Sequence, residues 1–241
     1  GTMAKMPIVK SFIPLLQSVG KSFTHKEQVY NDFQKEVLLP HKMSQLGPFI
    51  SQGDVNEDGL MDFYVGGASG QTGALYLQNK DSFSLSINQP WRSNIENEEL
   101  GSVFFDVDND KDLDLYVVNG SNESLGEQDV LYLNDGKGTF TISQIMVPNT
   151  SSGQIVKAHD FDKDGWMDLY LTNDDHYPNE LFINNNGTSF TEEAQTYGMD
   201  NTGNDMGIAI GDYNNDSFFD FYVTNINSNI LLKNNADNKP N

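Results

Sequence analysis

The sequence predicts an all-β fold, a β-propeller of four-stranded antiparallel blades. Three observations predict it. An acidic loop recurs four times at nearly constant spacing, an aromatic-aliphatic segment follows each copy, and short β-type segments fill the intervals between Asn, Asp and Gly turns. The fullest copy is residues 160–171, Asp-Phe-Asp-Lys-Asp-Gly-Trp-Met-Asp-Leu-Tyr-Leu. The other copies begin at Asp54, Asp106 and Asp212, so successive starts lie 52, 54 and 52 residues apart. A fixed period near fifty residues marks a repeat architecture, in which each unit buries its faces against its neighbours.

Each loop has the chemistry of a hard-cation site. In the third copy, Asp160, Asp162, Asp164 and Asp168 occupy positions 1, 3, 5 and 9. A cation such as calcium takes six to eight oxygen ligands, and a tight loop supplies them from alternate residues. The equivalent side chains are Asp54, Asn56, Asp58 and Asp62 in the first copy, and Asp106, Asp108, Asp110 and Asp114 in the second. In the fourth they are Asp212, Asn214, Asp216 and Asp220. Position 7, held by Leu60, Asp112, Trp166 and Phe218, is expected to supply a backbone carbonyl. Gly59 and Gly165 at position 6 allow the sharp turn, because glycine accepts positive φ without a steric penalty. Lys111 and Ser217 stand at that position in the other loops, where a left-handed residue costs ~1 kcal/mol. Asn56 and Asn214 replace carboxylates, so the Asp160 site is expected to be the tightest and the Asp212 site the weakest. An EF-hand does not fit. It needs a bidentate Glu at position 12 and a flanking helix, whereas position 12 is Val65, Val117, Leu171 and Val223.

Taken in order, residues 1–20 form an N-terminal tail and residues 26–47 a short helix and loop. The first repeat (about 46–97) carries strands at 48–52, 62–66, 74–79 and 82–85. The second (98–150) carries strands at 102–105, 115–118, 130–134 and 140–142. The third (151–204) has them at 154–158, 169–171, 181–184 and 189–191. The fourth (205–241) has 207–210, 221–223 and 230–232 and then runs out. Hairpin-type spacing and turn residues make these strands antiparallel, and four per unit match a propeller blade. Ser22-Phe23-Thr24 repeats the Ser189-Phe190-Thr191 of the third unit. The N-terminal strand (21–26) is therefore expected to complete the last blade and leave no open edge. The single domain spans 21–241.

Composition bounds the function. A formal net charge of −21 repels phosphates and excludes a nucleic-acid partner. Fourteen of the 35 acidic residues are the loop carboxylates, so four divalent ions would bring the charge to about −13. The chain has no cysteine and therefore no disulfide. No run approaches the ~20 apolar residues of a membrane span. Gly1-Thr2-Met3 reads as a remnant of expression, so the sequence is silent on export.

The loops and the segments that follow them resemble the FG-GAP or VCBS repeats of integrin α-subunit propellers and of many bacterial surface and secreted proteins. The matching residues are 53–65, 105–117, 159–171 and 211–223, joined by the turns at 135–140 and 186–190. Residues 206–225 are similar to the bacterial ASPIC/UnbV-associated group, and the resemblance covers about 46–235. It implies a calcium ion in each loop (about four in all), on one face of the propeller, with ligands on the opposite face. It also implies seven or eight blades, so this chain is either a compact four-bladed ring or part of a larger one. A monomer or a homodimer is expected accordingly.

Catalytic patterns are scarce. Neither H-E-x-x-H nor G-x-S-x-G occurs. The acidic pairs are accounted for by the loops, which removes a glycosidase argument. His159 abuts a loop and reads as a packed residue, since calcium prefers oxygen. His176 and Tyr177, between the second and third strands of their unit, together with Trp91 and Arg92, are candidates for a ligand-binding face. The simpler account of them is ordinary surface residues. The expected function is a non-enzymatic, calcium-stabilised binding or adhesion scaffold for a protein or glycan. The alternative is a propeller-type polysaccharide lyase, which needs a basic residue near a substrate carboxylate. Near-millimolar calcium outside cells suits modest-affinity loops, so an extracellular or periplasmic location is expected.

Overall fold

The computed structural model describes residues 23–35, 44, 47–120, 128–145, 147, 153–174, 177–226 and 228–235. Over these the chain is all-β apart from short helical turns at Asp32–Lys35, Pro90–Ser93 and Ala194–Tyr197. The first sheet contains β1 (Ile50–Gly53), β2 (Asp62–Val65), β3 (Ala74–Asn79) and β4 (Ser82–Leu85). The second contains β5 (Glu99–Phe105), β6 (Asp114–Asn119), β7 (Val130–Leu133) and β8 (Thr141–Ile142). The third contains β9 (Gly153–His159), β10 (Asp168–Asn173), β11 (Glu180–Asn184) and β12 (Phe190–Glu192). The fourth contains β13 (Asp205–Gly211), β14 (Asp220–Asn225) and β15 (Ile230–Leu232). Every sheet is an antiparallel meander in chain order.

The sheets stack in sequence. β5 lies beside β1 and β9, and β9 lies beside β13. An apolar layer fills each gap. Tyr64 and Leu75 of the first sheet meet Leu115, Val117 and Tyr132 of the second. Tyr116, Val118 and Leu131 meet Leu169, Leu171 and Phe182. Tyr170 and Leu181 meet Phe221, Val223 and Leu232. All six residues of β6 and of β10 are buried. Their centres, residues 115–118 and 169–171, therefore read as apolar runs rather than alternating ones, since both of their faces are covered.

Turns of one sheet rest on the acidic loop of the sheet before it. Asn134 Nδ2 donates to Val55 O at 2.8 Å, and Asn184 Nδ2 to Val107 O at 2.9 Å. Gly138 (φ +75°) packs against Val55 and Asn56, and Gly187 (φ +69°) packs against Asp108 and Trp166.

The expected closure by the N-terminal strand is not found among the described residues. Among them the fourth sheet has three strands, and Phe23 and Thr24 belong to no strand. Ser22 lies outside the described residues. The segment after it is held instead against the β2–β3 connection of the first sheet. Lys26 N donates to Gln71 Oε1 at 2.9 Å, Gln71 Nε2 to Thr24 O at 2.9 Å, and Gln28 Nε2 to Ser69 O at 3.0 Å. No apolar layer among the described residues joins the fourth sheet to the first.

Gly187 and Gly165 separate two kinds of glycine requirement. A Cβ on Gly187 would lie 3.0 Å from Asp108 Cα and 2.8 Å from Trp166 Cζ3, whereas one on Gly165 (φ +93°) would meet nothing. Gly165→Ala is predicted to cost about 1 kcal/mol, the left-handed penalty. Gly187→Ala is predicted to cost clearly more, read as the two melting temperatures side by side.

Candidate metal centres

The four loops share one backbone. Position 6 is left-handed in each, at Gly59 (φ 84°), Lys111 (84°), Gly165 (93°) and Ser217 (71°). Position 4 is left-handed too, at Glu57, Asn109, Lys163 and Asn215. The side chains of the loop hold this shape. The position-6 amide donates to one oxygen of the position-1 aspartate in all four loops, at 2.8 Å for Gly59→Asp54 and 3.0 Å for Lys111→Asp106. The distances are 3.1 Å for Gly165→Asp160 and 2.8 Å for Ser217→Asp212. The position-7 amides of Leu60, Asp112, Trp166 and Phe218 donate to the carboxylates of Asp58, Asp110, Asp164 and Asp216. Positions 5 and 7 thus serve the turn itself.

Position 9 has a second task. Asp114 Oδ2 accepts from Val107 N at 3.0 Å and its Oδ1 from Asn134 N at 2.9 Å. Asp168 does the same with Phe161 N and Asn184 N, both at 2.8 Å. Asp62 and Asp220 repeat the arrangement with Val55 and Gln78, and with Tyr213 and Asn234. Each buried carboxylate ties the loop to the end of the third strand.

Two loops gather three carboxylates within 4.8 Å of one another. These are Asp106, Asp108 and Asp114, and Asp160, Asp162 and Asp168. Each trio could hold a metal ion. Asn56 and Asn214 leave the first and fourth loops without such a trio. In the Asp106 loop, Asp106 Oδ1, Asp108 Oδ1 and Asp112 Oδ1 are buried and have no hydrogen-bond partner. In the other three loops the position-1 oxygen accepts from the position-5 amide, as in Asp58→Asp54 and Asp164→Asp160 (both 3.1 Å) and Asp216→Asp212 (3.0 Å). Buried oxygens without donors are costly, and an all-oxygen set of this kind fits a hard cation.

Asp112 offers more than the backbone carbonyl that the loop pattern asks of it. Its carboxylate is buried among those of Asp106, Asp108 and Asp110, and burial followed by their repulsion pushes its pKa up to about 6. The signal in the sequence is an aspartate where the other copies carry Leu60, Trp166 and Phe218.

Neighbouring loops also touch. Asn109 Nδ2 donates to Gly165 O at 3.3 Å, and Lys163 Nζ lies 3.7 Å from the centre of the Phe218 ring. His159 is half-buried, with Phe219 and Phe161 edge-on at 4.7 and 5.5 Å. Burial lowers its pKa, which favours the neutral, packed ring. Trp91 lies in the core between the first two sheets, where Tyr64 and Tyr132 meet it edge-on at 5.1 and 5.4 Å. Arg92 is exposed, and both residues border a cavity of about 420 Å3. Tyr177 is exposed near the third sheet, away from that pair, and His176 lies outside the described residues.

The carboxylates of Asp114 and Asp168 are pushed up to about 7, chiefly by burial and further by the neighbouring loop aspartates. A raised pKa means that the cation-free fold favours the protonated form. That contribution is complete below the unfolded value of ~3.9 and is lost as pH rises through about 7. In chelator the melting temperature is therefore predicted to fall between about pH 4 and pH 7, and Asp114→Asn with Asp168→Asn to flatten that slope. Saturating calcium should also flatten it, by keeping these carboxylates ionised.

Comparison with known proteins places the chain. Its structure is similar to that of an Agrocybe aegerita lectin described as recognising non-reducing terminal N-acetylglucosamine, with a TM-score of 0.53 and 14% identity. The match covers 82% of this chain and 51% of the lectin chain, so the protein spans about half the length of that relative. No curated protein matches. The FG-GAP-like repeat matches three times in overlapping register, at residues 54–117, 106–171 and 160–223, which together span most of the 241-residue chain. The protein belongs to the FG-GAP-like repeat family.

Proposed function

We propose that this chain is a calcium-binding, β-propeller-type scaffold that presents its loops to a glycan or protein partner outside the cell or in the periplasm, without catalysing a reaction. The observation that carries the metal part is the Asp106 loop, with its carboxylate trio and its three partnerless buried oxygens. The sequence ranks the Asp160 site first, but these oxygens give the Asp106 site the greatest unmet demand for a cation. Calcium in the loops neutralises carboxylates whose mutual repulsion opposes folding. The Asp54 and Asp106 loops also lie under the turn of the next sheet, so fixing such a loop stiffens the contact between blades. The likeness to a sugar-recognising lectin supports a glycan as the first ligand class to try.

A site filled at a hundredfold excess over Kd stabilises the native state by ~2.7 kcal/mol. Thermal unfolding is predicted to shift up with calcium and back with chelator. Asp108→Asn should remove a distinct part of that shift while leaving the calcium-free melting temperature unchanged or higher, since it deletes one repelling charge. A melting curve indifferent to calcium, or an equal loss with and without it, contradicts the metal reading. For the ligand, N-acetylglucosamine-terminated glycans are predicted to be retained on immobilised protein in calcium and released intact by chelator. Cleavage of an acidic polysaccharide would instead reinstate the lyase.

A further inference from the structure

We propose that the cavity of about 420 Å3 beside the first sheet binds an acidic saccharide, a sugar ring bearing a carboxylate or a sulfate. This rests on the glycan reading above and gives that reading a place and a charge. The charge of the lining points to it first. Acidic residues outnumber basic ones 35 to 14 over the chain, yet the lining holds two cations, Lys26 and Arg92, and no carboxylate. Both residues are exposed. Among the described residues, neither the Lys26 ammonium nor the Arg92 guanidinium has a hydrogen-bond or ion-pair partner. On a protein of net charge −21, two unpaired cations at one cavity make a local attraction for an anion that the rest of the surface repels.

Separate devices bring the two cations to the cavity. Lys26 arrives on the N-terminal segment, which Gln71 grips with both ends of its amide. Lys26 N donates to Gln71 Oε1 and Gln71 Nε2 to Thr24 O, each at 2.9 Å. Arg92 is carried by the short helical turn Pro90–Ser93, and its neighbour Trp91 is held edge-on by Tyr64 and Tyr132. The buried carboxylate of Glu99 lies behind Gly73 but is not part of the lining. Its Oε2 accepts from the Tyr64 hydroxyl at 2.8 Å and from Gly67 N at 2.9 Å. The acidic loop of the same repeat leaves from the other end of the strands, where Gly53 pairs with Asp62, whereas Ala74 at the cavity pairs with Val65.

The lining suits a sugar better than a bare anion. Arginine offers a planar fork to a carboxylate or sulfate, and lysine adds a point charge. Thr24, Thr72, Gln71 and Ser86 bring polar groups for ring hydroxyls, and Phe23 and Leu85 give an apolar wall for the C–H face of a ring. A bare anion would leave those walls unused. The volume falls within the ~300–1,000 Å3 of small-ligand pockets.

Retention of oligosaccharides on the immobilised whole chain, in calcium, tests it. An oligouronate and a sulfated oligosaccharide are expected to bind more tightly than a neutral N-acetylglucosamine-terminated one, and to weaken as salt is raised. The tighter of the two identifies the anionic group. Lys26→Gln and Arg92→Gln should each lower that affinity about tenfold, the scale of a hydrogen bond to a charged group. The melting temperature should not move, because both side chains are exposed and unpaired. Undiminished binding by the double variant overturns the site. Binding lost in Asp108→Asn and kept in the double variant would put the saccharide on a loop-bound calcium, which overturns it too. Inorganic sulfate competing as tightly as the saccharide overturns the sugar in favour of any small anion. Retention of the neutral glycan alone sinks this proposal and leaves the glycan reading standing, whereas retention of none sinks both.

Discussion

The ninth aspartate of each acidic loop is the contact on which the rest of the molecule depends. Asp62, Asp114, Asp168 and Asp220 are buried, and each spends one oxygen on the amide at position 2 of its loop and the other on the amide just beyond the third strand or at its end. One side chain thereby fixes the loop, the second strand and the third strand to each other. The bonds offset part of the desolvation, but two of these carboxyls still titrate near neutrality because they are buried with other aspartates beside them. A cation resolves that conflict, since it lets the buried carboxylates stay ionised without losing their backbone donors.

From that contact the architecture propagates by stacking. In the first three loops the second residue turns inward to the apolar layer, and in the first two its carbonyl accepts from an asparagine further along the chain, Asn134 or Asn184. Loop order and sheet packing are thus one system, and a change at a loop is felt at the junction. The same logic leaves the two ends of the stack unequal to its middle. An interior sheet has both faces covered, whereas Tyr213, Tyr222 and Leu231 of the fourth repeat are exposed.

Much of this is legible in the sequence, because the information is periodic. Four acidic loops at fixed spacing, each followed by Phe-Tyr-Val or its like, specify four hairpins and the sheets around them. Strand positions follow within a few residues, and the left-handed Lys111 and Ser217 are readable by comparison with Gly59 and Gly165. The left-handed position 4 is not, since Glu57, Asn109, Lys163 and Asn215 carry no glycine to announce it. The second hydrogen bond of position 9 joins residues 14 to 20 apart, a tertiary relation that spacing does not encode. The N-terminal segment departs from its expected place because Ser-Phe-Thr is too short to specify an edge, and the amides of Gln28 and Gln71 decide its position. Trp91 reads as a surface aromatic in a polar stretch, yet its ring completes the first interior layer.

If the carboxylates of these loops close around a cation, a crystal structure grown with calcium, with anomalous scattering collected to identify the ion, tests it most directly. An ion is predicted in the Asp106 and Asp160 loops, with Asp106, Asp108 and Asp114, and Asp160, Asp162 and Asp168, at ~2.3–2.6 Å. Loops that remain in the same shape with no ion at saturating calcium would contradict it.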